Sequence, residues 1–176
     1  MIFTETPLSG AYLIDIEPKR DERGFFSRVW CAGELSQLGL DTRIAQINIG
    51  WNERAGTVRG LHYQTTPFAE VKIVRCLAGA IYDVIVDLRP HSPTFGQWFG
   101  VELSAENHRA IYVPEGFAQG YQALCDGAEM SYSTTKTFAP AHATGVRYDD
   151  PALGITWPLP IGLVSDPDKN WPDLVS

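Results

Sequence analysis

The 176-residue chain has no run approaching the roughly eighteen consecutive apolar residues of a membrane-spanning helix. It also lacks any block of consecutive basic residues, and its formal net charge is −7. The electrostatic footprint of a protein that binds nucleic acid or an anionic membrane is therefore missing, and an anionic ligand would need a local basic pocket. The opening MIFTETPLSG has no basic segment followed by an apolar stretch and cleavage site, so the expected location is the cytoplasm. Cysteine is scarce. Cys31, Cys76 and Cys125 are widely spaced and form no CxxC pattern, which leaves neither a disulfide framework nor a zinc site and reads as buried free thiols. Long apolar periodicity of the helical kind, internal repeats and low-complexity tracts are missing too.

What the chain has is a series of short β-prone runs punctuated by Gly, Pro, Asn and Asp. They include Tyr12 to Ile16, Phe25 to Trp30, Glu70 to Leu77, Ala80 to Leu88, Trp98 to Leu103, Ala110 to Val113, Phe117 to Leu124 and Glu129 to Lys136. With 44% hydrophobic residues, residues 1–176 can bury the core of one all-β domain, a sandwich or barrel. Only Gly33 to Leu38 and the tail from Asp168 to Val175 read as short helices. The Ala78–Gly79 step between two strong runs suggests a hairpin, pairing Glu70–Leu77 with Ala80–Leu88. On the first of these runs Lys72 shares a face with Val74 and Cys76. A lysine there either serves an anion or snorkels to the rim, and taken alone it reads as a rim residue.

Two segments have spacing that resembles cupins: Gly60-Leu61-His62-Tyr63-Gln64 with Glu70 downstream, and Pro114-Glu115-Gly116-Phe117-Ala118-Gln119. Metal-binding cupins place histidines where Gln64 and Gln119 stand. One imidazole and one carboxylate make a poor divalent-metal site, so no metal is expected. Arg59 lies three residues before His62 and Lys72 ten after it, with further basic or amide groups at Arg23, Gln46 and Asn48. Cations around a histidine suit an anionic ligand and favour the neutral imidazole a general base requires.

The runs Asp21-Glu22-Arg23-Gly24-Phe25-Phe26, Gln46-x-Asn48, Val58-Arg59-Gly60-Leu61-His62-Tyr63-Gln64, Lys72-Ile73-Val74-Arg75-Cys76, Asp83-Val84-x-Val86-Asp87-x-Arg89, Ser92-Pro93-Thr94-Phe95-Gly96, Tyr132, Asp149-Asp150-Pro151 and Ile155-x-Trp157-Pro158 occur in order. In this the chain resembles the dTDP-4-dehydrorhamnose 3,5-epimerase family from about Tyr12 to Pro172. The resemblance implies a homodimeric cupin-type jelly-roll sandwich that needs no cofactor. Its substrate would be a nucleotide-linked 4-keto-6-deoxyhexose, epimerised at C3, C5 or both. It also implies roles: His62 as base with Asp168 as its dyad partner, Asp166 being the competing carboxylate; Tyr132 as acid on the opposite sugar face; and Lys72 at the C4 oxygen. Arg23 and Arg59 would hold the diphosphate, with Gln46 and Asn48 at the nucleotide or sugar. Those residue types fit the chemistry. Removing a proton beside a ketone needs a base and a fixed positive group at the oxygen, and inversion needs a second proton carrier.

The chain departs from the family pattern at Arg28, where a nucleotide-contacting glutamate is usual, and at Gln119, where a histidine is usual. Ala143 and Pro167 replace a usual glutamate and lysine, and Gly50 and Asn52 replace two serines. These changes leave a mono-epimerase, a different nucleotide, or a non-catalytic sugar-nucleotide-binding protein as alternatives.

Overall fold

The structure, a computed structural model, describes residues 1–174. In chain order its elements are β1 (Ile2–Glu5), β2 (Tyr12–Asp15), β3 (Lys19–Asp21), β4 (Gly24–Phe26), α1 (Ala32–Gln37), β5 (Gln46–Asn52), β6 (Val58–Gln64), β7 (Lys72–Ala78), β8 (Ala80–Asp87), β9 (Trp98–Ser104), β10 (Ala110–Val113), β11 (Phe117–Ala123), β12 (Ala128–Thr134), β13 (Ala143–Gly145) and α2 (Asp166–Lys169). One six-stranded sheet runs β1-β2-β10-β7-β12-β5 and a five-stranded sheet runs β13-β6-β11-β8-β9, while β3 and β4 form a separate hairpin. Every strand pair in these sheets is antiparallel. Crossing repeatedly between two packed sheets is the jelly-roll route, and the fold is of the cupin type.

The side-chain period of two decides what lies between the sheets. From the larger sheet Val74, Cys76 and Met130 point inward, and from the smaller Ile81, Ile85, Phe117 and Tyr121, forming one core cluster. The opposite face of the smaller sheet is also covered: Leu61, Val84, Val86 and Ala118 pack against Val146 and Leu153, with Ile155 and Trp157 alongside. Each fully buried aliphatic side chain contributes about 1.5–3 kcal/mol, so these two layers dominate stability. A third cluster seats α1 through Leu35 against Ile14, Ala110 and Tyr112. The Asp87-x-Arg89 and Ser92 motif serves the scaffold, since Asp87 accepts from Arg89, Ser92 and Thr94 and fixes the turn after β8.

Several sequence expectations change. The β7 and β8 runs are not a hairpin: they belong to different sheets, and Gly79 turns the chain from one to the other. Gly79 has φ +67°, and a Cβ there would meet the Cys125 Sγ at 2.4 Å, so the step is a corner closed by packing. The Phe25–Trp30 run ends as a strand at Phe26, because only the three-residue β3 is available to pair with it. The tail helix starts earlier and is shorter than expected. Ser165 caps it by accepting from the Asp168 N–H, and Asn170 ends it two residues before Pro172; Val175 lies outside the described residues. All three cysteines are free, but only Cys76 is buried, with Cys31 and Cys125 half-buried. Among the described residues no helix is long and apolar enough to cross a membrane.

Strand β5 and strand β6 carry much of the site. In β5 the apolar residues Ile47, Ile49 and Trp51 are exposed, while Gln46, Asn48, Gly50 and Asn52 alternate toward the sandwich interior. In β6 a glycine is required where it approaches β11. A Cβ on Gly60 (φ +126°) would lie 2.5 Å from the Gly120 Cα, and one on Gly120 2.6 Å from the Arg59 carbonyl oxygen. The two strands therefore pack at backbone distance, which sets the height of His62 at the cleft mouth.

Candidate active site

One end of the sandwich opens into a cleft of about 410 Å³. The larger sheet supplies Gln46 and Asn48 from β5, Lys72 from β7, and Tyr132 and Thr134 from β12; the smaller supplies His62 and Gln64 from β6. The loop bearing Phe138 and Pro140 and the α2 segment bearing Pro167, Asp168 and Trp171 complete the walls. A deeper chamber of about 240 Å³, lined by Arg59, Gln119, Tyr121 and Met130, shares His62, Lys72 and Tyr132 with it.

His62 and Asp168 form a dyad across 106 residues of sequence, with Nε2 2.6 Å from Oδ1. Of the two carboxylates considered from sequence, Asp168 faces inward and Asp166 outward, the side chain of Asp166 being 91% exposed against 6% for Asp168. The carboxylate is held from three directions. The Gly60 N–H donates to its Oδ2 at 3.2 Å, and Trp171 Nε1–H joins the His62 ring at its Oδ1, at 3.1 Å. Burial opposes the Asp168 charge, but these donors, His62 foremost, outweigh it and hold the carboxyl below its usual range. The imidazole is thereby oriented, its Nδ1 taking no hydrogen bond from the described residues. The Trp171 indole stands edge-on to it, with ring centroids 6.2 Å apart.

Lys72 does not snorkel to the rim. It is 7% exposed, because its strand runs through the middle of the larger sheet and its side chain points between the sheets. Its Nζ donates to the His62 carbonyl oxygen at 3.2 Å and lies 3.7 Å from Glu70 Oε1. Glu70 also accepts from Gln64 Nε2 at 2.9 Å. Burial lowers the Lys72 pKa and raises that of Glu70, and their mutual attraction works against both shifts. The nearby Tyr132 phenol is pushed up, first by burial and then by the Glu70 charge, so it keeps its proton at neutral pH. A dry ammonium, an oriented imidazole and a protonated phenol thus converge on one volume, with the imidazole and phenol on opposite walls.

The remaining expected residues divide. Gln46 and Asn48 line the cleft, and Gln46 Oε1 accepts from the Phe138 N–H at 2.5 Å. Arg59 lines the deeper chamber, its Nε donating to Asn52 Oδ1 at 3.0 Å. Gln119 lines that chamber too, while the departures Ala143 and Pro167 face the outer cleft. Arg23 and Arg28 are not brought to this chain's cleft: Arg23 pairs with Asp21 in the β3–β4 hairpin at 2.6 Å, and Arg28 with Glu34 at 2.7 Å. Sequence reasoning missed Trp171 and Phe138. Trp171 could have been noticed three residues after Asp168, one turn away, whereas Phe138 is positioned only by long-range contacts. Gln64 Oε1 accepts from the Ala139 N–H at 2.6 Å and so pins that loop. Among the described residues no group of three or more His, Cys, Asp and Glu is placed to hold a metal ion.

Fold and site together define a sandwich enzyme built to move protons inside a shielded cleft. Residues 5–176 match the family model described as dTDP-4-dehydrorhamnose 3,5-epimerase, and the chain belongs to that family. It is 41% identical over 175 residues to the dTDP-4-dehydrorhamnose 3,5-epimerase of Methanothermobacter thermautotrophicus, covering 98% of this chain and 94% of that one. The crystal structure of the Bacillus anthracis enzyme of the same name, with TDP and pyrophosphate bound, superposes with a TM-score of 0.94 at 40% identity, covering 98% and 99% of the two chains. A Streptomyces niveus protein 37% identical, covering 93% of this chain and 79% of that one, is named dTDP-4-dehydrorhamnose 3-epimerase.

The depressed Asp168 carboxyl makes a pH-dependent contribution to folding. Its unfolded value is about 3.9, so the stability it adds is complete above that and is lost as pH falls through the lower folded value. Asp168→Asn should lower the melting temperature at neutral pH, with a deficit that shrinks below about pH 4. A deficit of constant size in melts from neutral pH down to about pH 2.5 would contradict this.

Proposed function

We propose that the chain epimerises a dTDP-linked 4-keto-6-deoxyhexose, with His62 as the base and Tyr132 as the acid. The observation that carries this reading is the placement of the two groups on facing sheets, His62 on β6 and Tyr132 on β12, with Lys72 on β7 beside β12 lining the same cleft. A sugar ring in the cleft is then open to the imidazole on one face and the phenol on the other. Abstraction beside the ketone leaves a negative charge that moves to the C4 oxygen, and the Lys72 ammonium, shielded from water, stabilises it far better than it could in solvent. Asp168 fixes the tautomer of His62 and balances the imidazolium that forms. Arg59 in the deeper chamber, with Gln46 and Asn48 on β5, supplies donors for the remaining substrate groups.

The same reading gives the chain a second copy as its partner. Ile47, Ile49 and Trp51 on the edge strand β5 are exposed, as are Phe26 at the end of the hairpin and Val29 and Trp30 beyond it. An edge strand with an outward apolar row is a pairing surface. In a homodimer Arg23 and Arg28, absent from their own cleft, would exchange their Asp21 and Glu34 partners for the nucleotide of the neighbouring one. Ile47→Glu/Ile49→Glu should give a monomer by light scattering where the parent gives a dimer. A parent that runs as a monomer at micromolar concentration would remove this part of the reading.

Incubation with dTDP-4-keto-6-deoxyglucose in deuterium oxide, followed by NMR, tests the chemistry. Exchange is expected at C3, C5 or both, and exchange at a single carbon would identify a mono-epimerase. His62→Ala should slow exchange about 10²–10⁴-fold. Tyr132→Phe should still exchange, because His62 can return deuterium to the face it came from, while the inverted product falls by a similar factor. Full exchange in His62→Ala, or unchanged inversion in Tyr132→Phe, would overturn the assignment.

A further inference from the structure

Asp83 is a completely buried carboxyl that the proton transfers above do not use. It sits on the inner face of β8 between Ile81 and Ile85, behind the wall of the deeper chamber. Its Oδ2 accepts from Gln119 Nε2 at 2.6 Å, and its Oδ1 has no hydrogen-bond partner among the described residues. Gln119 is the residue between Asp83 and the chamber. A carboxylate stripped of water needs several donors or a cation to stay ionised, and one neutral amide is a meagre supply.

The groups facing it cannot make up the difference. From β7 across the sandwich comes Lys72, whose attraction for Asp83 is already divided with Glu70 at 3.7 Å. From β11 come Gln119 and Tyr121, and the Tyr121 hydroxyl donates elsewhere, to Asn52 Oδ1. On its other side in the sheet, β9 opposes it with Val101. The cluster therefore sets one ammonium against a buried carboxyl, Asp83, and a half-buried one, Glu70, and a single positive charge cannot neutralise both.

We propose that Asp83 is a positioning residue carried as a neutral carboxylic acid, and that its neutrality leaves the Lys72 charge free to act on the cleft. Burial supports this by raising the carboxyl to about 8, against the pull of Gln119 and Lys72. Were Asp83 ionised, a negative charge beneath Lys72 would cancel part of the field that the developing oxyanion needs. Gln119 matters because an amide cannot take the proton. A histidine at that position could accept it and turn the pair into imidazolium and carboxylate. The functional half of the inference rests on the role proposed for Lys72; the protonation half does not.

Labelling the aspartate side-chain carboxyls with carbon-13 and titrating the whole protein by NMR tests it directly, since the label leaves out Glu70. One aspartate signal should remain protonated at neutral pH, titrate near 8 and vanish in Asp83→Asn. The variant should keep kcat at neutral pH within about threefold, since its amide is a neutral stand-in. Because the folded carboxyl titrates above its unfolded value, the parent loses stability between those two values as pH rises. The variant's advantage in melting temperature should therefore widen from about pH 5 to about pH 8. Ionisation of every aspartate at neutral pH would overturn the proposal, even if Asp83→Asn fails to fold. So would a kcat loss of about a hundredfold in a folded variant with unchanged KM. A protonated Asp83 in a chain without epimerase activity would instead remove the functional reading and leave the protonation standing.

Discussion

An ammonium held out of water between two β-sheets is the constraint around which the cleft is arranged. Leaving Lys72 unpaired there would cost several kcal/mol, and its surroundings are built to prevent that. The Glu70 carboxylate and the His62 carbonyl oxygen meet it, Gln64 steadies Glu70, and the Glu70 charge helps keep the Tyr132 phenol protonated. The polar residues that bring the charge inside also create the chemistry. A pocket that must hold a cation without water is already prepared to receive an anionic oxygen.

The second arm of the site depends on tertiary closure. His62 is delivered by β6, whose glycine contact with β11 lets two backbones touch, while its partner Asp168 comes from a one-turn helix near the end of the described chain. That segment is tied down by Asp150, whose Oδ2 accepts from the Leu174 N–H at 2.5 Å, and by Trp171, which bonds Asp168 and flanks the imidazole. Loss of tail packing would therefore act on His62 through its orientation, with Lys72 and Tyr132 left in place.

How much of this was legible follows from where each signal lives. Strands such as Ala110–Val113 and Ala80–Asp87 were readable because β-branched runs between turn residues are local features. The inward direction of Lys72 was readable from the period of two, but its depth was not, since that depends on β7 being central in its sheet. The corner at Gly79 looked like a hairpin because a tight turn has the same residues whether the chain stays in one sheet or leaves it. Strand β5 was not among the expected strands: it turns apolar side chains outward and amides inward, the reverse of the usual sandwich strand, because its inner face is cleft. His62, Lys72 and Tyr132 stood out through the family pattern. Asp83 and Phe138 acquire meaning only from contacts across the fold.

The proposed chemistry requires the two proton-carrying groups to face opposite sides of a sugar whose ketone oxygen lies at Lys72. A crystal structure of the protein with a bound dTDP-4-keto-6-deoxy sugar would test it most directly. The C4 oxygen is expected within about 3 Å of the Lys72 Nζ, with the His62 ring over one sugar face and the Tyr132 hydroxyl over the other. A sugar bound with its C4 oxygen turned away from Lys72, or with both groups on one face, would contradict it.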